Sequence, residues 1–142
     1  MVLVSPEKIA AVMALAAVPH SFAELDEMVS KGLPKGALKA SIDRICVSAE
    51  DRRQLLYRII PEATYKRRRE SLTAEESERA ERLARIFATA AYVWNSDDDA
   101  RAFLTTPHAM LQGRSPLDVS LTELGARRVE ELLWRLFHGI AA

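Results

Sequence analysis

The chain is poor in the residues that staple, coordinate or cradle. It has one cysteine, Cys46, in 142 residues. No intramolecular disulfide can form, which suits a reducing cytosol, and a lone thiol without clustered ligands makes no zinc site. The five glycines are scattered, so no glycine-rich phosphate loop exists. His20, His108 and His138 stand far apart, and none belongs to a metal-ligand pair such as H-E-x-x-H. Asp97, Asp98 and Asp99 are adjacent helical residues that diverge, so favourable charge at a helix N-terminus accounts for them better than a metal cluster. No apolar run approaches the roughly 18 residues that span a bilayer. Ile9 to Val18 resembles a short signal-peptide core, but Ser5-Pro6-Glu7-Lys8 before it is a helix start carrying an acid. These shortages predict a cytoplasmic protein that is not an enzyme and has no metal, cofactor or membrane partner.

Net charge is also absent. The chain holds 20 Lys+Arg and 20 Asp+Glu, a balance that taken whole argues against nucleic acid as a partner. The zero is an average over unlike segments. Residues 1–51 carry 5 bases and 7 acids, and residues 70–142 carry 8 bases and 12 acids. Between them, residues 52–69 carry 7 bases (Arg52, Arg53, Arg58, Lys66, Arg67, Arg68, Arg69) against Glu62 alone. Local fields steer partners, so the net +6 of that segment outweighs the total.

What the chain has is helical periodicity and folded-protein composition, 49% apolar and 28% charged. The length suits one domain, or two small ones sharing a core. One helix is predicted from Ser5 to Val18, stopped by Pro19. Ser21 to Glu24 is a capping-box pattern opening a helix with Phe22, Leu25, Met28 and Val29 inward and Gly32 at its end. A third helix carries Leu38, Ile42, Ile45 and Cys46. A fourth begins at Ser48 to Asp51 and places Leu55, Leu56, Ile59 and Ile60 inward until Pro61. After a short stretch from Glu62 to Glu70, a second capping box at Thr73 to Glu76 opens the longest helix, over 74–94. Its stripe is Leu83, Ile86, Phe87, Ala90 and Trp94, and Asn95 ends it. A short helix with Phe103 and Leu104 inward follows. The last starts near Thr122 with Val129, Leu132, Leu133, Leu136 and Phe137 inward, and stops at Gly139. No segment alternates with period two. The predicted fold is all-α, with seven to eight helices.

The basic segment has the order of a helix-turn-helix: an apolar helix, the Pro61 break, then a helix bearing Thr64, Lys66, Arg67, Arg68 and Arg69. The first would brace the second, whose cations would face phosphates and base edges, with Arg52 and Arg53 widening the patch. Four contacted phosphates would give log K against log[salt] a slope of about −3.6. The competing reading is a solvated face paired with Glu70, Glu75, Glu76 and Glu78. Position behind an apolar helix and a proline favours DNA. Residues 105–121 form a Pro/Gly loop whose Met110, Leu111 and Leu117 either serve a binding surface or plug the core; the residues alone favour the plug. Ile9, Val12, Met13 and Ala16 could make a dimer interface or complete the core of one chain.

Several ordered motifs carry a family resemblance. They are Glu75-Glu76-Ser77-Glu78-Arg79, Leu83-Ala84-Arg85-Ile86-Phe87, the loop from Pro107 through Leu111-Gln112-Gly113-Arg114-Ser115-Pro116-Leu117-Asp118, Gly125-Ala126-Arg127-Arg128-Val129-Glu130-Glu131-Leu132-Leu133, and His138-Gly139. Over roughly 60–140 the chain resembles the Xre/MbcA/ParS family of bacterial antitoxins, and Thr64-Tyr65-Lys66-Arg67-Arg68 is similar to that family's basic stretch. One departure is Gln112, where the loop often has the first of two adjacent glycines.

The resemblance implies two parts: an N-terminal region, 1–72, with the DNA-binding and dimerising helix-turn-helix, and a toxin-binding domain, 73–142. The second would hold a cognate toxin, commonly a RES-domain protein that consumes NAD⁺. The first would bind the operon's own promoter as a dimer, within a larger hetero-oligomer. Gly113, Arg114, Ser115, Pro116 and Leu117 fall on the family's loop, and His138, Gly139 and Ile140 on the surface at the end of the last helix. The resemblance turns the loop toward a partner, with Leu117 and Met110 partly structural. If the toxin's pocket takes an NAD⁺ phosphate, Arg114 or the Ile140 tail would occupy or obstruct it. The alternatives are a stand-alone helix-turn-helix regulator with a C-terminal dimerisation or ligand-sensing module, or a small enzyme if His108, His138 and Arg114 cluster in a closed pocket.

Overall fold

A computed structural model describes residues 3–139. Among them it is all-helical: α1 Pro6–Val12, α2 Phe22–Lys31, α3 Gly36–Ile45, α4 Ala49–Ile59, α5 Glu62–Arg67, α6 Ala74–Trp94, α7 Asp97–Thr105, a 3-10 turn Ala109–Leu111, α8 Pro116–Val119 and α9 Glu123–Phe137. The fold class is as expected, with a helix more than predicted. The addition is α8, hidden in the irregular 105–121 stretch, with Ser115 as N-cap and Pro116 in its first turn. No described helix is long and apolar enough to cross a membrane.

The helices start where short polar side chains can satisfy orphan N–H groups. Ser5, Ser21, Ser48, Thr73, Ser96, Ser115 and Thr122 each accept from a backbone N–H in the first turn of the helix they open. The capping box at Thr73 and Glu76 is complete in both directions. The one expected at Ser21 is half made. Glu24 N donates to Ser21 Oγ at 3.1 Å, but the Glu24 carboxylate takes the His20 N–H at 2.6 Å.

Helix α1 ends at Val12, short of the expected Val18. Ala14 adopts φ 52°, and the N–H groups of Ala14 and Leu15 donate back to the Ala11 and Ala10 carbonyls. That is a Schellman termination with alanine at the left-handed position, which the sequence does not announce. Asn95 and Gly139, at φ 51° and 68°, end α6 and α9 as expected.

Helix α6 is the axis of the fold: 21 residues, or about 30 Å at 1.5 Å per residue. Its Ala80, Ala84 and Ala90 are wholly buried beside Ile86 and Phe87, small side chains that let neighbours approach. Ile9, Val12 and Met13 of α1 are buried within the same chain. Of the two readings of that stripe, completion of one chain's core is the one realised; Ala16 is exposed. Trp94, Phe137 and Phe22, all expected inside, are 41%, 43% and 47% exposed. Periodicity picked the correct helix face, but these residues lie past the edge of the core.

Candidate functional site

Helix α4 packs through Leu55 and Ile59, and α5 buries no residue. The α4 C-terminus is held from α6, where Arg79 Nη1 donates to the Ile59 carbonyl at 3.1 Å. Tyr65 is the one α5 residue packed against the core; Lys35 sits over its ring at 4.4 Å. The element therefore stands proud of the protein, as a groove-reading helix must.

The cations expected on this face have unlike fates. Lys66, Arg67 and Arg69 are exposed. Lys66 faces Glu62 at 3.7 Å, Arg67 reaches Thr64 Oγ1 at 3.5 Å, and Thr64 is half-buried. Arg53 pairs with Glu50 at 3.3 Å, and Arg52 caps the Cys46 carbonyl at 3.0 Å with Asp43 nearby. Such solvated pairs are worth roughly 0–1 kcal/mol and exchange readily for phosphate. Arg68 differs. Just beyond α5, it clasps Glu76 through Nε at 2.8 Å and Nη2 at 2.9 Å. The Arg68 guanidinium, with the Thr73 N–H, holds the Glu76 carboxyl down at about 2. Of the downstream acids in the solvated-face reading, only Glu76 pairs with the basic segment among the described residues.

The loop is a closed, self-bonded turn. His108 N donates to the Arg114 carbonyl and Gly113 N to the His108 carbonyl, while His108 Nδ1 accepts from Met110 N at 3.0 Å. Leu111 is the core plug at 2% exposure, and Met110 is 47% exposed. Gln112 holds φ 56° and Gly113 φ 76°; a Cβ on Gly113 would meet only open space. Gly113 and Arg114 are displayed outward, Ser115 and Leu117 are half-buried, and Pro116 is turned inside. Asp118 joins the loop to the bracing helix by taking Arg58 of α4. The other flank lies against α9 at Arg128, Glu131 and Arg135. His138, one turn on from Arg135, shares that face and is exposed. Gly139 is exposed too, while Ile140 lies outside the described residues. The structure thus brings the loop and the end of α9 to one side, and among the described residues His108, His138 and Arg114 do not line the groove between them.

Sequence reasoning missed an aromatic rim around the C-terminal end of α6. On one flank Tyr92 meets Phe137 at 5.2 Å, Phe137 meets His138 at 5.0 Å, and His138 meets Trp134 at 4.4 Å. On the other, Trp94 meets Phe103 at 5.8 Å and Phe103 meets His108 at 6.3 Å. Partly exposed Tyr and Trp side chains of this kind supply anchor residues at protein interfaces. The available signal was an α6 stripe that continues past the last core layer. Glu76 and Tyr92 lie 16 residues apart in α6, so about 24 Å of helix axis separates the Arg68 clasp from this rim.

Comparisons with known proteins divide the chain at the same helix. Residues 24–85 match the antitoxin Xre-like helix-turn-helix domain, and residues 89–139 match the antitoxin Xre/MbcA/ParS C-terminal toxin-binding domain. Antitoxin Xre of Pseudomonas putida is 36% identical over 84 residues, 57% of this chain and 53% of that protein. Antitoxin Xre of Yersinia enterocolitica is 38% identical over 85 residues, 57% of each. The matched stretch spans a little over half the length of each relative. The first domain match contains α4, α5 and the Arg68 clasp, and the second contains the loop and the whole aromatic rim. The chain belongs to the Xre/MbcA/ParS family of antitoxins.

Proposed function

We propose that the protein is the antitoxin of a type II toxin–antitoxin pair, non-enzymatic, with two working surfaces on one chain. Its α4–α5 element binds operator DNA and represses its own operon. Its loop and aromatic rim hold and neutralise a cognate toxin, a RES-type NAD⁺-consuming enzyme. The observation that carries this reading is the separation of an exposed cationic helix from an exposed aromatic rim by most of the length of α6. The sequence-based division, 1–72 and 73–142, falls just after the Arg68–Leu72 link; α6 serves both parts. On the toxin side Arg114 and Gly113 present the loop, and His138 and Gly139 present the end of α9. Symmetric operators favour a homodimer within the larger complex, and its interface must avoid the α1 stripe, which is already buried.

Co-expression with the product of the adjacent gene tests the reading. The wild-type chain is expected to suppress that product's toxicity, co-purify with it and retard DNA from upstream of its own coding region. Replacing Phe137 with Ser should restore toxicity and leave DNA binding intact, while Lys66→Ala with Arg67→Ala should do the reverse. A chain that binds its upstream DNA but captures no neighbouring product is a stand-alone regulator, and the antitoxin reading fails.

A further inference from the structure

We propose that Arg68 is a positioning residue of the DNA-binding element, locking α5 to the start of α6 through Glu76. This rests on the reading that α4–α5 binds DNA.

Helix α5 has six residues and buries none of them, so its own packing does little to fix its pose. A short helix presented this way is held by its ends. At the start, Pro61 sets the turn from α4. At the other end, the Arg68 N–H closes the last turn on the Tyr65 carbonyl at 3.1 Å. The Arg68 side chain then leaves the DNA-facing surface and makes both bonds of a planar fork to Glu76. Glu76 is not a passing partner. Its side chain is 7% exposed against 26% for Arg68, and its Oε1 also accepts the Thr73 N–H at 2.9 Å. Thr73 Oγ1 in turn accepts the Glu76 N–H at 3.1 Å. The guanidinium therefore docks onto a carboxylate that the α6 N-terminus has already oriented. The link beyond is pinned too, by Lys35 N to the Glu70 carbonyl and Leu72 N to the Leu33 carbonyl, both at 2.8 Å. Displacing Arg68 toward a phosphate would strand a nearly buried carboxylate, which is costly. Lysine, with a single point of charge, cannot reproduce the fork.

The experiment measures binding of a labelled duplex from upstream of the gene's own coding region, across a salt series. Variants are Arg68→Lys, Glu76→Gln and Lys66→Ala, each checked for helical content by circular dichroism. Glutamine preserves the capping-box acceptor, so E76Q is expected to fold while losing the charged clasp. R68K and E76Q should each weaken binding by about tenfold with the salt slope unchanged, because no phosphate contact is removed. Combined, they should cost no more than either alone. K66A should flatten the slope by about 0.9. Pure electrostatics predicts the opposite for E76Q: removing an acid beside DNA tightens binding. Tighter binding by E76Q, or wild-type affinity in R68K, overturns the inference while the DNA reading stands. A wild-type chain that binds no duplex overturns both.

Discussion

Replacing Gly125 with alanine is expected to destabilise the protein, although alanine is the better helix former by about 1 kcal/mol. Gly125 is the third residue of α9 and is buried; its N–H donates to the Thr122 cap at 3.0 Å. An alanine Cβ there would lie 1.7 Å from the Val119 carbonyl oxygen, 2.8 Å from its carbon and 2.9 Å from Thr122 Oγ1. The nearest atom is backbone, at the last residue of α8, so no side-chain rotation relieves it. Restoring ordinary contact requires α8 and α9 to separate by more than about 1 Å, which breaks packing under the loop. Overpacking of this severity costs about 3 kcal/mol or more, which exceeds the propensity gain. Gly36 is the built-in control: it opens α3, is exposed, and a Cβ there meets nothing within 4 Å. Gly36→Ala should therefore stabilise by about 0.5–1 kcal/mol.

Thermal and urea unfolding followed by circular dichroism separates the two. At this chain length 1 kcal/mol moves Tm by about 3 °C, so G125A should melt roughly 6–9 °C below wild type and G36A about 2 °C above it. Because the clash lies between α8 and α9, G125A should lose the adjacent gene's product at temperatures where upstream-DNA binding persists. A G125A protein melting at or above wild type refutes the reasoning.

Two other backbone positions invite stabilisation. Ala14 and Gln112 both hold left-handed φ without being glycine, so Ala14→Gly should raise unfolding free energy by about 0.5–1 kcal/mol. Gln112→Gly should gain somewhat less, since it also forfeits the side-chain acceptor that Gln112 offers Arg128. Acid should expose Glu76. Its folded value of about 2 lies below the ordinary 4.5, so the ionised form is the one folding favours. That contribution, about 3 kcal/mol, is complete above the ordinary value and vanishes as pH falls through the folded one. E76Q should flatten that part of the acid-unfolding profile. Burial raises Glu81 and Glu130 instead. Their contribution is full below the ordinary value and is lost as pH rises through the raised ones, so Glu130→Gln should cost less at neutral pH than in strong acid.

The sequence made the local grammar legible. Serine and threonine caps, the Pro61 break, the Thr73 box and the stops at Asn95 and Gly139 are decided within a few residues. What lay beyond it was decided by contacts between distant positions. Ala14 takes a left-handed conformation that no glycine signals. Trp94 and Phe137 continue perfect stripes to the ends of α6 and α9, where they are 41% and 43% exposed. Arg58 reaches Asp118 across 60 residues of chain and Arg79 reaches the Ile59 carbonyl across 20; spacing encodes neither. The loop over 107–118 was found by its motifs, but which of its residues face outward depended on Leu111 and Pro116 filling the space beneath.

Charge is where this difference has a measurable consequence. The sequence assigns +6 to residues 52–69 and four cations to α5 and its tail. Ion pairs at Lys66 and Arg53 are solvated, at 68% and 59% side-chain exposure, so a phosphate can replace their carboxylates at little cost. Among the described residues Arg67 and Arg69 have no acidic partner within salt-bridge distance. Arg68 is already committed to a nearly buried carboxylate that also caps α6. The segment from α5 to its tail therefore offers phosphate Lys66, Arg67 and Arg69, and at about 0.9 per contact its share of the salt slope is about −2.7, not −3.6. Neutralising those three together should remove that share of the measured slope. A loss of about 0.9 further when Arg68 alone is removed would place its guanidinium on DNA and return the larger figure.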